Sequence, residues 1–347
     1  MLFDTKAREV TTNRLRTRVL TAGAEDGVPV IFVHGNLSSA TWWAEVMSGL
    51  PDGFRAIAPD LRGYGGADPA ALTDATRGMG DYSDDLAALM GTLGLKAAHM
   101  VGHSLGGGVL WRFLADHPTR VLSLTQVAPA SPYGFGATKP DGSPAFPDGA
   151  GAGAGAVNPD FARRLAEGDR SAEAETSPIN ILNSFVWKPP FVPDWMDDIL
   201  NAALAQHTGE KAYPGDAKPS PNWPTVAPGQ FGPVNALAPN YQTNPLGFCD
   251  VTPKPPILWI RGADDVVVSD TSMFDLGTLG QLGAVPGWPG AEVMPPQPMI
   301  TQTRAALDSY AAKGGTYREE VLTDCGHSPY IEQPAAFNAL LHTFITS

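Results

Sequence analysis

The stretch VGHSLGGG, residues 101–108, sets Ser104 between glycines, with one apolar run before it and another after it. Read outward, AAHMV (97–101) is a strand-like run and LGGGVLWRFLADH (105–117) is helix-like. The serine therefore sits where a buried strand turns straight into a helix. A turn that sharp strains the middle residue. Side chains on its flanks would strike neighbouring backbone, which accounts for Gly102 and Gly106. The turn also lifts the hydroxyl to a helix N-terminus, where free N–H groups and the positive end of the dipole favour a developing anion. A glycine-rich helix start with a merely capping serine is the plain alternative.

The surrounding pattern alternates in the same way. VPVIFV (28–33), FRAIAP (54–59) and VLSLTQV (121–127) read as short buried strands, and SSATWWAEVM (38–47) as a helix with a serine cap. Leu86, Leu89, Met90 and Leu93 form one helical face. Repeated βα units predict a mostly parallel sheet covered by helices on both faces. After residue 130 the texture changes: 20 of the 33 prolines fall between Ser131 and Pro256, and strand signals stop. Helices are predicted over 158–167, 177–185 and 194–207, and the run GAGAGAGA reads as a flexible turn. The aromatic anchors of this segment predict an ordered lid. The sheet resumes at PILWI (256–260) and YREEVL (317–322), and Phe337, Leu340, Leu341 and Phe344 place a stripe on a closing helix. The expected division is a core of residues 1–130 and 254–347 with a helical, Pro-rich cap at 131–253. A second, nearly uncharged insertion lies at 272–299.

Composition excludes several classes. With 23 basic and 36 acidic residues the net charge is -13, which argues against nucleic acid or an anionic membrane as partner. Two cysteines, Cys249 and Cys325, leave a chain of 347 residues independent of disulfides and favour a reducing compartment. The opening MLFDTKAREV lacks the apolar stretch of a signal peptide. A cytoplasmic protein is the expectation. No His/Cys cluster has metal spacing, so no metal and no cofactor is expected.

A nucleophilic serine needs a base and an orienting acid. Of seven histidines, His34 follows a strand, His103 sits in the turn, and His99, His117, His207 and His342 lie within or at the end of other elements. His327, in DCGHSPYIEQP, follows the last strand and can reach back over the carboxyl ends of the sheet. IRGADDVVV offers Asp264 and Asp265 just past PILWI, and VAPAS, the end of the preceding strand, carries no carboxylate.

Ser104, Asp264 or Asp265, and His327 in this order, with His34-Gly35-Asn36 and DLRGYGGAD (60–68), make the chain resemble the α/β-hydrolase superfamily. That resemblance implies Asp265, because the acid loop of such proteins usually reads Gly-x-x-Asp with an apolar residue three further on, matched by Gly262, Asp265 and Val268. It implies an oxyanion hole from the backbone N–H groups of Leu105 and Asn36, the Asn36 side chain adding a donor or bracing the loop. Leu37, His103, Trp187 and Trp288 are candidate substrate contacts. The expected chemistry is acyl transfer through Ser104 on an uncharged, largely apolar ester or lactone. Turnover should fall as pH drops through about 6–7, where an imidazole takes up a proton. Ser104 separates the chain from dehalogenases and epoxide hydrolases of this fold, which carry Asp there. A diketone carbon–carbon hydrolase and a cofactor-free perhydrolase would use the same triad, and a ligand receptor on this fold is the alternative of another class.

Overall fold

A computed structural model describes residues 3–347. Eight strands form one sheet: β1 (Lys6–Thr11), β2 (Arg16–Gly23), β3 (Val28–Val33), β4 (Phe54–Pro59), β5 (Ala98–His103), β6 (Val121–Val127), β9 (Ile257–Gly262) and β10 (Tyr317–Leu322). Two more, β7 (Ala217–Pro219) and β8 (Val226–Pro228), pair antiparallel outside it. The sheet order is β1-β2-β4-β3-β5-β6-β9-β10, and β2 runs antiparallel to both its neighbours. From β4 to β10 every pairing is parallel. This is the alpha/beta hydrolase fold, a mostly parallel sheet flanked by helices.

The apolar runs become central strands because both faces of the sheet are covered. One core joins Ile31, Val33 and Met100 to Val109 and Phe113 of the helix Leu105–Asp116 and to Leu86 and Leu89 of the helix Gly80–Thr92. The other joins Phe32, Val101 and Ile260 to Trp43, Tyr330 and Phe337 on the opposite face. Such burial supplies roughly 25 cal/mol per Å² of apolar surface.

Chain order breaks between β6 and β9, which are hydrogen-bonded neighbours with Val127 opposite Ile260. The intervening insertion carries the helices Pro159–Ala166, Pro178–Ile181 and Met196–Leu204. Asn158 caps the first by accepting from the N–H of Asp160 and Phe161. The predicted 177–185 helix is alpha only to Ile181 and widens into a π turn over Leu182–Val186. Two expectations need correction. Strand pairing does occur in the insertion, at the β7–β8 hairpin. The Gly-Ala run is not a flexible turn: Ala150, Ala152 and Gly153 are buried. A Cβ on Gly151 would stand 2.6 Å from Met294 Cε, so the small residues permit close packing.

The second insertion joins this packing. Ala137, Ala152 and Ala238 cluster with Leu276 and Met294. The buried carboxylate of Asp275 accepts from Thr278 N–H at 3.1 Å and Gln297 N–H at 3.0 Å, which ties its ends together. Phe185 and Phe274 meet edge to face at 5.2 Å, so the two insertions touch directly. Among the described residues no helix is long and apolar enough to cross a membrane.

Candidate active site

Ser104 occupies the turn between β5 and the helix Leu105–Asp116 with φ 54° and ψ −117°. A non-glycine residue adopts that geometry only where its surroundings over-determine it. Here Ser104 N–H donates to Val127 O at 3.0 Å, and Ala130 N–H donates to Ser104 O at 2.9 Å. The glycines are required by contact. A Cβ on Gly102 would stand 2.7 Å from Gly106 O, and one on Gly106 would stand 2.5 Å from His34 O. Ser104 itself keeps partial exposure.

Asp265 and His327 are brought together. The Nδ1–H of His327 donates to Asp265 Oδ2 at 2.8 Å, both side chains being almost fully buried. Asp265 Oδ1 accepts from the N–H groups of Val267 and Val268 at 2.7 and 2.9 Å, so the carboxylate is fixed at both oxygens. Because Nδ1 carries the proton, Nε2 presents the lone pair. Asp264 points elsewhere: it is exposed and pairs with Lys188 Nζ at 3.0 Å.

His103 joins the two halves of the site. Its Nε2–H donates to the backbone oxygen of His327 at 3.0 Å, and Tyr330 OH donates to its Nδ1 at 3.3 Å. Both ring nitrogens are thus engaged with protein. Burial, then the neighbouring His327, holds His103 well below the usual imidazole range. Tyr330 is itself stacked on Trp43 at 4.0 Å.

The loop after β3 lies against the elbow, since a Cβ on Gly35 would stand 3.1 Å from Ser104 Cβ. His34 accepts the N–H of Leu61 on Nε2 at 3.0 Å and donates from Nδ1 to Gly35 O at 2.8 Å. Burial lowers its pKa to about 4, which keeps it neutral. Buried Asp60 binds Arg18 at 2.7 Å and accepts from the N–H of Ala40 and Gly66, which shapes the Asp60–Gly66 loop. The Asn36 side chain accepts on Oδ1 from Tyr64 OH at 2.9 Å. Its amide therefore braces the loop. Leu105 is the first residue of its helix, where backbone N–H groups have no partner within the helix.

The remaining candidates are spread around this centre. Leu37, with φ 52°, packs on a cluster of Phe161, Leu165 and Tyr213 together with Ile181 and Val234. The Trp187 indole is buried beside Trp42 and Phe191. Trp288 lies in the second insertion and donates to Met294 O at 2.9 Å. Cys249 and Cys325 are buried and unpaired, and burial pushes the Cys325 thiol up.

Sequence reasoning passed over Tyr64, Tyr213, Lys188 and Glu332. Glu332 accepts from the N–H of Gly326 at 2.8 Å, Ser328 at 3.2 Å and Lys188 at 2.9 Å. Its only sequence signal is its place before Pro334 in the segment around the histidine.

A family model described as the alpha/beta hydrolase fold matches residues 28–285. The chain is 40% identical over 126 residues to a non-heme chloroperoxidase of Streptomyces lividans, covering 35% of this chain and 44% of that one. It is 38% identical over 120 residues to a bifunctional esterase/perhydrolase of Acinetobacter calcoaceticus, covering 33% and 42%. It thus spans less than half the length of either relative. A 2-hydroxy-6-oxo-6-phenylhexa-2,4-dienoate hydrolase from Rhodococcus sp. superposes with a TM-score of 0.62 at 16% identity, over 99% of both chains, a likeness of fold. With the family match covering most of its length, the chain belongs to the alpha/beta hydrolase fold family.

Proposed function

We propose that the protein is a serine hydrolase that cleaves a carboxylic ester or lactone through an acyl-enzyme on Ser104. The observation that carries this reading is the 2.8 Å bond from His327 Nδ1 to Asp265 Oδ2, which fixes the tautomer a general base needs. In the mechanism His327 Nε2 takes the Ser104 proton as Oγ attacks the carbonyl. Asp265 stabilises the resulting imidazolium. The tetrahedral oxyanion is received by the N–H groups of Leu105 and Asn36. Collapse expels the alcohol, which takes the proton back from His327. Water then loses a proton to His327 as it attacks the acyl carbon, and collapse breaks the acyl–Oγ bond, releasing the acid while Ser104 Oγ takes the proton back from His327.

The residues 131–253 act as a cap in this reading. Leu37, the residue after Asn36, and Val157, Ile181, Leu204 and Val234 are partly buried apolar side chains packed against Phe161, Leu165 and Tyr213. That lining suits an uncharged, largely apolar substrate. A second reading, acyl transfer to hydrogen peroxide to give a peracid, is favoured by the esterase/perhydrolase relative.

A panel of p-nitrophenyl esters, lactones and vinylogous diketones, with Ser104→Ala as blank, tests the assignment. Ester or lactone turnover that disappears in the variant while its circular dichroism is unchanged is the expected result. Turnover that survives the substitution removes Ser104 from its role, and cleavage of diketones alone replaces the substrate class.

A further inference from the structure

One half-buried carboxylate beside the proposed triad has no part in the acyl-transfer steps. Glu332 begins no loop of the triad, yet its oxygens are directed at the backbone on either side of His327. Oε2 accepts from Gly326 N–H at 2.8 Å and Oε1 from Ser328 N–H at 3.2 Å. The carbonyl of His327, between them, is taken by His103 Nε2–H at 3.0 Å. The backbone around the base is therefore held at three successive residues. A side chain so held loses rotational freedom before the reaction begins.

Glu332 also reaches outside the core. Its Oε2 accepts from Lys188 N–H at 2.9 Å, the residue after the buried Trp187. The same stretch of insertion lies directly on Gly326, where a Cβ would stand 2.7 Å from Lys188 N and 2.8 Å from Trp187 C. Lys188 Nζ pairs in turn with Asp264 at 3.0 Å and Asp324 at 2.6 Å, one on each of the loops that carry the acid and the base. One oxygen of Glu332 is thus shared between the histidine loop and the insertion.

We propose that Glu332 is a positioning residue for His327 and that, through Lys188, it makes the docking of the cap part of the assembly of the base. The inference rests on the reading of Ser104 and His327 given above. The ionisable groups facing Glu332 are His327 and Cys325, and Cys325 in turn faces Asp265 and Asp264; the insertion supplies the Lys188 N–H, and β5 supplies His103, which holds the His327 carbonyl. Its negative charge favours the imidazolium that forms when His327 accepts the serine proton. Removing that charge disfavours the protonated ring and moves the acidic limb of the rate profile to lower pH.

The experiment compares wild type, Glu332→Gln and Glu332→Asp. One portion of each is titrated to completion with an alkyl fluorophosphonate to count reactive serines, and ester turnover of an untreated portion is expressed per reactive serine, so that misfolded molecules drop out. Absence of label in the wild type would defeat the underlying reading and leaves a different signature from failure of the inference. For Glu332→Gln we expect kcat per reactive serine to fall at least about tenfold, the yield of one or more hydrogen bonds to a charged group. KM should stay within about twofold, and the acidic limb should shift to lower pH. Glu332→Asp, which keeps the charge, should recover part of kcat and restore the limb. Wild-type kcat with an unshifted limb in Glu332→Gln, a loss confined to KM, or no advantage of Asp over Gln would each overturn the proposal.

Discussion

The phenol of Tyr64 donates to Asn36 Oδ1 at 2.9 Å, joining the loop after β4 to the loop after β3. Both loops are then held in one register beside Ser104. Tyr64→Phe would leave that half-buried oxygen without its donor, at a cost of about 1 kcal/mol. The expected result is a lower urea midpoint and a severalfold fall in kcat with KM little changed. Unaltered kcat would show that the Asn36 loop keeps its place unaided.

The neighbouring aspartates separate by partner. Asp265→Asn keeps the shape of the side chain but puts an amide where an acceptor is required, opposite His327 Nδ1 and two backbone N–H groups. A fall in kcat on the order of 1,000- to 10,000-fold is expected. Asp264→Asn removes an exposed pair and should change kcat by less than about threefold. Steady-state kinetics on both variants decides the matter, and equal losses would contradict the assignment.

His34 makes stability depend on pH. Its folded pKa is about 4 against an ordinary value of 6.5, so between those values the unfolded chain binds more protons than the folded one. Its contribution is therefore whole above 6.5 and is lost progressively as pH falls toward 4. Comparison with His34→Asn isolates this group from the other ionisable residues. The stability gap between the two chains should be about 2 kcal/mol smaller at pH 5 than at pH 8. Urea unfolding at the two pH values measures it, and a constant gap would mean that His34 takes up its proton equally in the folded and unfolded chains.

Gly106→Ala probes the close approach of the helix to β3. The added methyl would meet the carbonyl oxygen of His34, and relief requires the helix start to move. Overpacking of this kind costs about 1–3 kcal/mol. Turnover should fall with stability, because the moved residues include Leu105. A variant as stable and active as wild type would show that this approach is loose.

The central strands were legible because they are buried on both faces, as at VPVIFV and VLSLTQV. The edge strand β1 was not, since five of the six residues in KAREVT are exposed and carry no apolar run. The helix Met299–Ala312 was missed because Gln302 and Thr303 interrupt its buried face. Gln302 is buried for a polar reason, bonding Ser131, Thr138 and Lys139. At the site, Ser104 and His327 follow strands and could be placed by topology. Glu332, Tyr64 and Tyr213 act through contacts between distant segments, and no local pattern encodes a pairing of that kind. The Gly-Ala run misled for the same reason: small residues signal freedom in isolation and close packing against Met294 and Val226 in the folded chain.

Because β6 and β9 lie side by side, the whole insertion leaves the sheet and returns to it across a single strand spacing. Lengthening such a detour is inexpensive, each doubling of the closed segment adding only about 0.6 kcal/mol. The sheet with its elbow is consequently little burdened by the length of the insertion between β6 and β9. The β5 elbow and the loop of His327 can keep their places while the intervening chain is rewritten, provided the replacement still offers a backbone N–H to Glu332.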